Sequence, residues 1–499
     1  LILFLVAFAM VLAGCKAVSY EPANVNPPKL EREFRGLWIV TVANIDWPSK
    51  PGLSTSVQKA ELVSIFDRAA RLNFNAVVFQ VRPACDAFYA SKLEPWSEYL
   101  TGVMGKAPEP YYDPLAFAIS EAHKRGLELH AWFNPYRALH KTHEGAVASS
   151  HISKTHPELV KRYGQYLWLD PGEREVQEHS TEVVMDVVKR YDIDGVHFDD
   201  YFYPDPAEAG IAFPDGPSWK KFGAGGRLSL EDWRRENVNR FIENIYRSVK
   251  AAKPWVKFGV SPHGIWRPGN PPQIKSGSDT YAKLFADTRK WLANGWVDYF
   301  SPQLYWQIHS EYSFPILLDW WQQQNVKGRH IWPGMSAAFA LTKNWDAQEI
   351  PNQIRLTRER RNVSGYIIYN TTNLFANRSL IGNLERELNK EKALIPASTW
   401  LASAVPAKPS ASVSGNPESL KLTWRPGGGT NSIRWWVVQT KSHGGWATEI
   451  LPSDVASKNL GIAPDAIAVT AVDRFGNASS PMMLRAGQAS MGKRLLLKQ

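Results

Sequence analysis

The sequence is short of cysteine, of runs of one charge and of apolar stretches long enough to cross a bilayer. Two cysteines in 499 residues cannot build a disulfide framework. No run of Lys and Arg is longer than two, so the net charge of 58 − 48 = +10 lacks the clustered footprint of a nucleic-acid binder. Hydrophobic residues at 44% and charged residues at 21% exclude disorder and collagen-like repeats. What the chain has in quantity is aromatic: 21 Trp, 21 Phe and 18 Tyr. Some of these rings fill a core, and rings in such number also suit stacking on sugars or bases.

The run LILFLVAFAMVLAG (1–14) is shorter than the ~20 apolar residues a spanning helix needs, and reads as the core of a signal peptide. With no initiator Met and no basic leader, the sequence is expected to start inside that signal. Leu12-Ala13-Gly14-Cys15 resembles a bacterial lipoprotein cleavage box, which implies lipidation of Cys15, with residues 16–33 as a tether. Lys16, rather than Asp, after the cysteine resembles lipoproteins sorted to the outer membrane. The expected place is therefore the bacterial envelope, facing the periplasm, with the membrane met only through the lipid. Cys85 is expected to be a packed thiol.

From Phe34 to Ile395 one pattern recurs: a short apolar strand, a polar loop with aromatics, an amphipathic helix. Eight strands are predicted, at Phe34–Val42, Asn75–Val81, Leu127–Phe133, Ile193–Phe198, Val256–Ser261, Val297–Gln303, His330–Met335 and Ser364–Tyr369. Each interval is long enough for one crossover helix. Asp113-Pro114 opens one helix, Leu115, Ala118, Ile119 and Ala122 form its stripe, and His123-Lys124-Arg125-Gly126 closes it. Gln58–Leu72, Val176–Tyr191 and Glu231–Lys253 behave alike. Eight units over 34–395 predict a (β/α)8 TIM barrel; a doubly wound sheet is the alternative. Beyond a linker at 396–415 the helices stop. Short strands at Leu420–Trp424, Ile433–Thr440 and Ala466–Val472, with a Pro426–Gly429 turn, predict a small β-sandwich over 416–485, ahead of a tail at 486–499. The phrase AVTAVDRFGNAS (468–479) resembles the last hairpin of fibronectin type III modules.

In such barrels chemistry sits where strands end at the C-terminal face. Six of the eight ends carry polar groups beside an aromatic: Arg82 on the second; Trp132, Asn134, Tyr136 and Arg137 on the third; His197, Asp199, Asp200 and Tyr201 on the fourth; His263, Trp266 and Arg267 on the fifth; Gln303, Tyr305 and Trp306 on the sixth; Asn370 on the eighth. Their coincidence points to a polyol site. The segments FRGLWIVTVANIDWP (34–48), FQVRP (79–83), HAWFNPYR (130–137), LDPG (169–172), DGVHFDDYFYP (194–204), GVSPHGIWR (259–267) and SPQLYW (301–306) resemble the glycosyl hydrolase-like family 10. The resemblance spans about residues 30–395 and implies a barrel hydrolase acting on cell-wall glycan. Members of that family include a bacterial lipoprotein that cuts peptidoglycan strands stripped of their stem peptides.

Glycoside hydrolysis usually needs one carboxylic acid to protonate the leaving oxygen and a second group to attack or stabilise the oxocarbenium-like centre. Asp199-Asp200 supplies two carboxylates, but neighbours on a strand point to opposite faces, so both reach the site only where strand geometry has ended. The segment 194–200 also resembles the strand-four signature of chitinase-type barrels, in which the sugar's own acetamido oxygen is the nucleophile. Tyr201 stands where chitinases place the catalytic Glu, so the acid role falls to Asp200, as in hexosaminidase-type barrels with consecutive carboxylates. Tyr305 would then hydrogen-bond the acetamido oxygen. Arg82, Arg137 and Arg267 are either rim ion-pair partners or forks for the lactyl carboxylate of muramic acid. Asn370 is a candidate for a sugar hydroxyl.

Alternatives stand beside these readings. Asp199 could be a satisfied barrel carboxylate, Asp200 a loop cap, and His197 an interior residue. His130, His197 and His263 at similar heights raise a zinc reading, although the expectation is an enzyme with no metal and no cofactor. A non-catalytic glycan binder would keep the Trp and Arg residues without needing the Asp pair. An α-glucan-type hydrolase would need a further carboxylate from Asp86, Asp205 or Asp298. The reading is of a monomer that meets glycan strands and no nucleic acid.

Overall fold

The computed structural model describes residues 19–416, 419–428 and 432–487. Cys15, the signal segment, Gly429 and most of the expected tail lie outside the described residues. Two compact units divide the described residues: Leu30–Ser403 is one, and the described residues up to Lys29 join those from Ala404 onward in the other.

The larger unit is the (β/α)8 barrel. Its strands are β1 (Phe34–Ile39), β2 (Ala76–Arg82), β3 (Glu128–Phe133), β4 (Gly195–Phe198), β5 (Lys257–Val260), β6 (Tyr299–Phe300), β7 (His330–Ile331 and Gly334–Ser336) and β8 (Gly365–Tyr369). All pair in parallel, and the two halves of β7 return the ladder through β8 to β1. The break in β7 falls at Trp332-Pro333, where proline has no N–H for the ladder. The regular part of β6 is likewise shorter than expected, because Pro302 follows close behind it.

The crossover helices are α1 (Thr55–Arg71), α2 (Pro114–Lys124), α3 (Arg174–Arg190), α4 (Leu230–Ala252), α5 (Thr288–Asn294), α6 (Phe314–Gln324), α7 (Glu349–Arg358) and α8 (Arg378–Asn383). Local signals start several of them. Asp113 accepts the Ala116 N–H at the head of α2, and Ser229 accepts the Asp232 N–H at the head of α4. The strand–helix repeat did not predict the element that follows β3. A three-stranded antiparallel sheet of Arg137–Leu139, Val160–Tyr163 and Tyr166–Leu169 is inserted after β3.

The barrel axis is filled by rings. Phe34 stacks on Trp332 at 3.6 Å between centroids, and Tyr299 lies 4.5 Å from Trp332. Gly195 and Gly259 make room for them: a Cβ at either position would run into the ring of His130 or Tyr299. A chain of hydrogen bonds threads the rings, and its direction follows from its ends. The Trp38 indole donates to His197 Nε2 (3.2 Å), so His197 carries its proton on Nδ1 and donates to Tyr299 Oη (3.0 Å). Tyr299 in turn donates to His130 Nδ1 (2.9 Å), and His130 Nε2 donates to Glu128 (3.1 Å), which Lys257 neutralises at 2.9 Å. Burial holds His197 far below its usual pKa, in keeping with a neutral ring.

The second unit is a β-sandwich. One sheet runs Tyr20–Pro22, Met482–Ala486, Ala466–Asp473, Ile433–Ser442, Gly445–Pro452; the other runs Ser410–Asn416, Ser419–Arg425, Ser457–Leu460. Leu422, Trp424, Trp436 and Val469 lie in its core. The segment expected as a tether thus contains an edge strand, and the segment expected as a linker is ordered at both ends. Ser410–Asn416 is a strand, while Trp400 packs on His330 at 4.7 Å and donates to buried Asp298 at 3.0 Å.

A fragment of residues 30–403 is therefore expected to fold alone and hydrolyse soluble oligosaccharides. Ending it at Pro396 removes the Trp400 donor from a buried carboxylate, which should cost about 2 kcal/mol. Urea unfolding of the two fragments compares them; equal stability would show that the Trp400 contact contributes nothing.

Candidate active site

A cavity of about 340 Å³ opens at the C-terminal ends of the strands. Trp38 and Val40 line it from the β1 end, Gln80 from β2, Trp132 and Arg137 from the β3 end, and Asp199, Asp200 and Tyr201 from the β4 end. Ser261, Gln303, Tyr305, Ser336, Phe339 and Tyr369 complete the wall. A second cavity of about 200 Å³ adjoins it, lined among others by His140, Tyr166, Trp168, Asp205 and His263. Arg137, His140, Asp200 and Tyr201 line both. Asp200 therefore stands where the two chambers meet.

Regular strand geometry ends at Phe198, and this is what lets consecutive aspartates share one cavity. Asp199 is buried at 3% exposure. Trp132 Nε1 donates to its Oδ2 (3.1 Å), Asn134 Nδ2 sits 3.4 Å from both oxygens, and the Tyr201 N–H reaches Oδ1 at 3.4 Å. All three neighbours are donors, so they suit the carboxylate form. Burial opposes them, the charge of Arg137 pulls down, the charge of Asp200 pushes up, and the Asp199 pKa rises to about 7. Asp200 is half-buried, and its pKa is also raised by burial, against the pull of His263 and of the Gln303 amide. Asn134 has a second task. Its Oδ1 accepts the Arg137 N–H at 2.8 Å, fixing the start of the inserted sheet.

Several expected site residues are placed elsewhere. Arg82 is buried in a bidentate pair with Glu94 and donates to Asn134 O (2.6 Å), so its fork is already filled. Arg267 pairs with Asp279 at 3.4 Å and lines neither cavity. Tyr136 is packed against Phe202 and Phe241, away from the site, and Trp266 stacks on Trp320. Trp306 packs on His263 and Tyr312 without lining either cavity. His197 belongs to the axial chain beneath the floor. Asn370 is turned away and donates to Asp46 at 2.8 Å, leaving its neighbour Tyr369 on the cavity wall. The zinc reading also fails on placement: His130 and His197 converge on Tyr299, while His263 stands at the rim. Cys85 is a packed thiol at the Arg82 guanidinium (3.2 Å), its pKa raised by burial.

Trp38, Gln80, His140, Ser261, Phe339 and Tyr369 line the cavity without having been singled out. Trp38 and Val40 were findable, since alternate residues of β1 face the same side. His140 sits in the inserted sheet region, which no periodicity announced.

Two carboxyl groups with raised proton affinity beside a polar, aromatic-walled cavity suit acid-assisted cleavage of an acetal, and the class is glycoside hydrolase. The chain belongs to the family described as Glycosyl hydrolase-like 10, which it matches over residues 33–339. It is 43% identical over 397 residues to Glycosyl hydrolase YngK of Bacillus subtilis (strain 168), covering 76% of each chain. It is 39% identical over 348 residues to Glycosyl hydrolase DigH of Escherichia coli (strain K12), covering 64% of this chain and 78% of that one. Among solved structures, the PgaB (BpsB) glycoside hydrolase domain from Bordetella bronchiseptica superposes with TM-score 0.46 at 12% identity, over 72% of this chain and 98% of its own.

The raised Asp199 pKa carries a stability signature. Its proton is held near pH 7 in the folded state against 3.8 in the unfolded chain, so the folded state binds more protons between those values. The contribution is complete below about pH 4 and is lost as pH rises through 7. Between pH 4.5 and 8, wild type should lose on the order of 3 kcal/mol more than Asp199→Asn. Urea unfolding at both pH values measures this, and parallel losses in the two proteins would contradict it.

Proposed function

We propose that this glycosidase cleaves peptidoglycan glycan strands freed of their stem peptides, with the acetamido oxygen of the bound sugar as nucleophile. The observation that carries the reading is the unequal environment of the two aspartates. Asp199 is fixed by three donors and suited to accept the acetamide N–H, whereas Asp200, met by the Gln303 amide and near His263, is half-buried between the two chambers. The acetamido oxygen attacks C1 as the C1–O bond breaks, and Asp200 gives its proton to the departing oxygen. Water then adds at C1, Asp200 takes a proton from it, and the acetamide re-forms. Asp199 stabilises the charge on the cyclised intermediate, and Tyr305 on the opposite wall donates to the acetamido oxygen.

A direct-nucleophile route with Asp199 as nucleophile asks for a second carboxylate from another strand, and the geometry gives it little support. Asp86 is buried, accepting the Ala84 N–H, and Asp298 pairs with Lys250 beneath β5 and β6. Asp205 caps the following turn and lines only the neighbouring chamber. Among the described residues lining the larger cavity, Asp199 and Asp200 are the carboxylates.

The proposed setting is the periplasmic face of the outer membrane, the chain being held by lipid on Cys15. Cys15→Ser should then remain an unprocessed precursor that takes up no palmitate; labelling that persists in the variant would remove the anchor from the proposal.

The function is tested on sacculi, intact and amidase-stripped, with products identified by mass. Stripped sacculi should release sugars while intact ones release few. Asp200→Asn should abolish that release yet retain much of the rate on substrates with activated phenol leaving groups, which need little acid help. A covalent glycosyl-aspartate trapped on either residue would replace this mechanism with direct attack.

A further inference from the structure

The wall between β2 and the inserted sheet is made of donors. Of the arginines at the strand ends, Arg82 is filled by Glu94 and Arg267 by Asp279, but Arg137 forms no ion pair among the described residues. Its Nε and Nη2 both donate to Pro83 O, at 3.1 and 3.0 Å, which locks the guanidinium in place over the Tyr201 ring and leaves Nη1 without a protein acceptor. Beside it, His140 Nδ1 accepts the Thr142 N–H (3.2 Å), so the ring carries its proton on Nε2 as a donor. Burial, with the charges of Arg137 and Lys141, lowers the His140 pKa to about 4 and keeps the ring neutral. On the same side, Gln80 Oε1 is held by the N–H groups of Thr41 (3.0 Å) and Val42 (2.9 Å), which fixes the amide orientation. Its Nε2 is buried with no partner. Three side chains thus offer N–H groups, and each one's acceptor atom is absent or already used.

A sugar hydroxyl both donates and accepts, so a donor-only wall matches it poorly. A carboxylate only accepts, and it can supply the direct ion pair that Arg137 does not make with Asp199 or Asp200, whose charges it feels only at longer range. Resting on the peptidoglycan reading above, we infer that Arg137, with His140 and Gln80, recognises the free lactyl carboxylate of a muramic-acid residue. This gives the requirement for peptide-free strands a chemical origin. While a stem peptide is attached, the lactyl group is a neutral amide that brings an N–H donor to a wall of donors. Hydrolysis of that amide liberates the anion.

Bulk offers a rival explanation, since a peptide could simply fail to fit. Peptide-free strands are compared with the same strands whose lactyl carboxylates have been converted to N-methylamides, which are neutral but small. The full-length wild-type protein should show kcat/KM at least tenfold higher on the free carboxylate. Arg137→Met should lower activity on both substrates, since Arg137 also acts on Asp199, and should bring their ratio close to one; His140→Ala should reduce the ratio in part. Equal cleavage of the two strands by wild type would overturn the inference and leave exclusion by size, with the peptidoglycan reading intact. A ratio that survives in a folded Arg137→Met variant would also overturn it. Failure of wild type to cut either strand would sink the peptidoglycan reading itself, and this inference with it.

Discussion

The site rests on a single column. Gly195 and Gly259 leave space on adjacent strands for His130 and Tyr299 to lie across the barrel axis. In that dry interior each polar ring must find a partner, because an unsatisfied group there costs several kcal/mol. The chain from Trp38 through His197, Tyr299 and His130 to Glu128 and Lys257 meets that demand one bond at a time. Trp38 at its upper end also lines the cavity, as does Ser261, whose hydroxyl meets His197 Nε2 at 2.9 Å. The lining of the cavity is thus tied by hydrogen bonds to polar groups satisfied inside the barrel.

Above the floor, neighbouring strands divide the labour between two identical side chains. Asp199 is claimed by β3, whose end supplies Trp132 and Asn134, and it becomes a fixed acceptor. Asp200 meets no such set of donors and stays at the junction of the chambers. Asn134 links this arrangement to recognition, since one end of its amide holds Asp199 and the other holds the backbone of Arg137. One side chain thus positions both Asp199 and the arginine proposed to read the substrate's charge.

Residue chemistry alone misled where fixed partners lay far off in sequence. Arg82 and Arg137 look equivalent as strand-end arginines, yet Glu94 lies within reach of only the first. Tyr369 and Asn370 are neighbours, and a loop contact to Asp46 decides which of them faces the cavity. The strand-end Trp residues show the same thing: Trp266 and Trp306 pack on Trp320, Tyr312 and His263, while Trp132 keeps one edge for Asp199.

By itself the sequence determined the repeated strand–helix rhythm, hence the barrel, the β-rich unit after it, and the strand end that carries the aspartates. Those are local or periodic properties, written in the spacing of apolar residues and in caps such as Asp113 and Ser229. The tertiary structure alone decided which polar side chains remain unspent. Whether an arginine, histidine or amide is available to a ligand depends on partners brought together by barrel closure, and on an inserted sheet that leaves no periodic trace. Hydrogen-bond capacity is finite, and only the folded chain shows where it has been used.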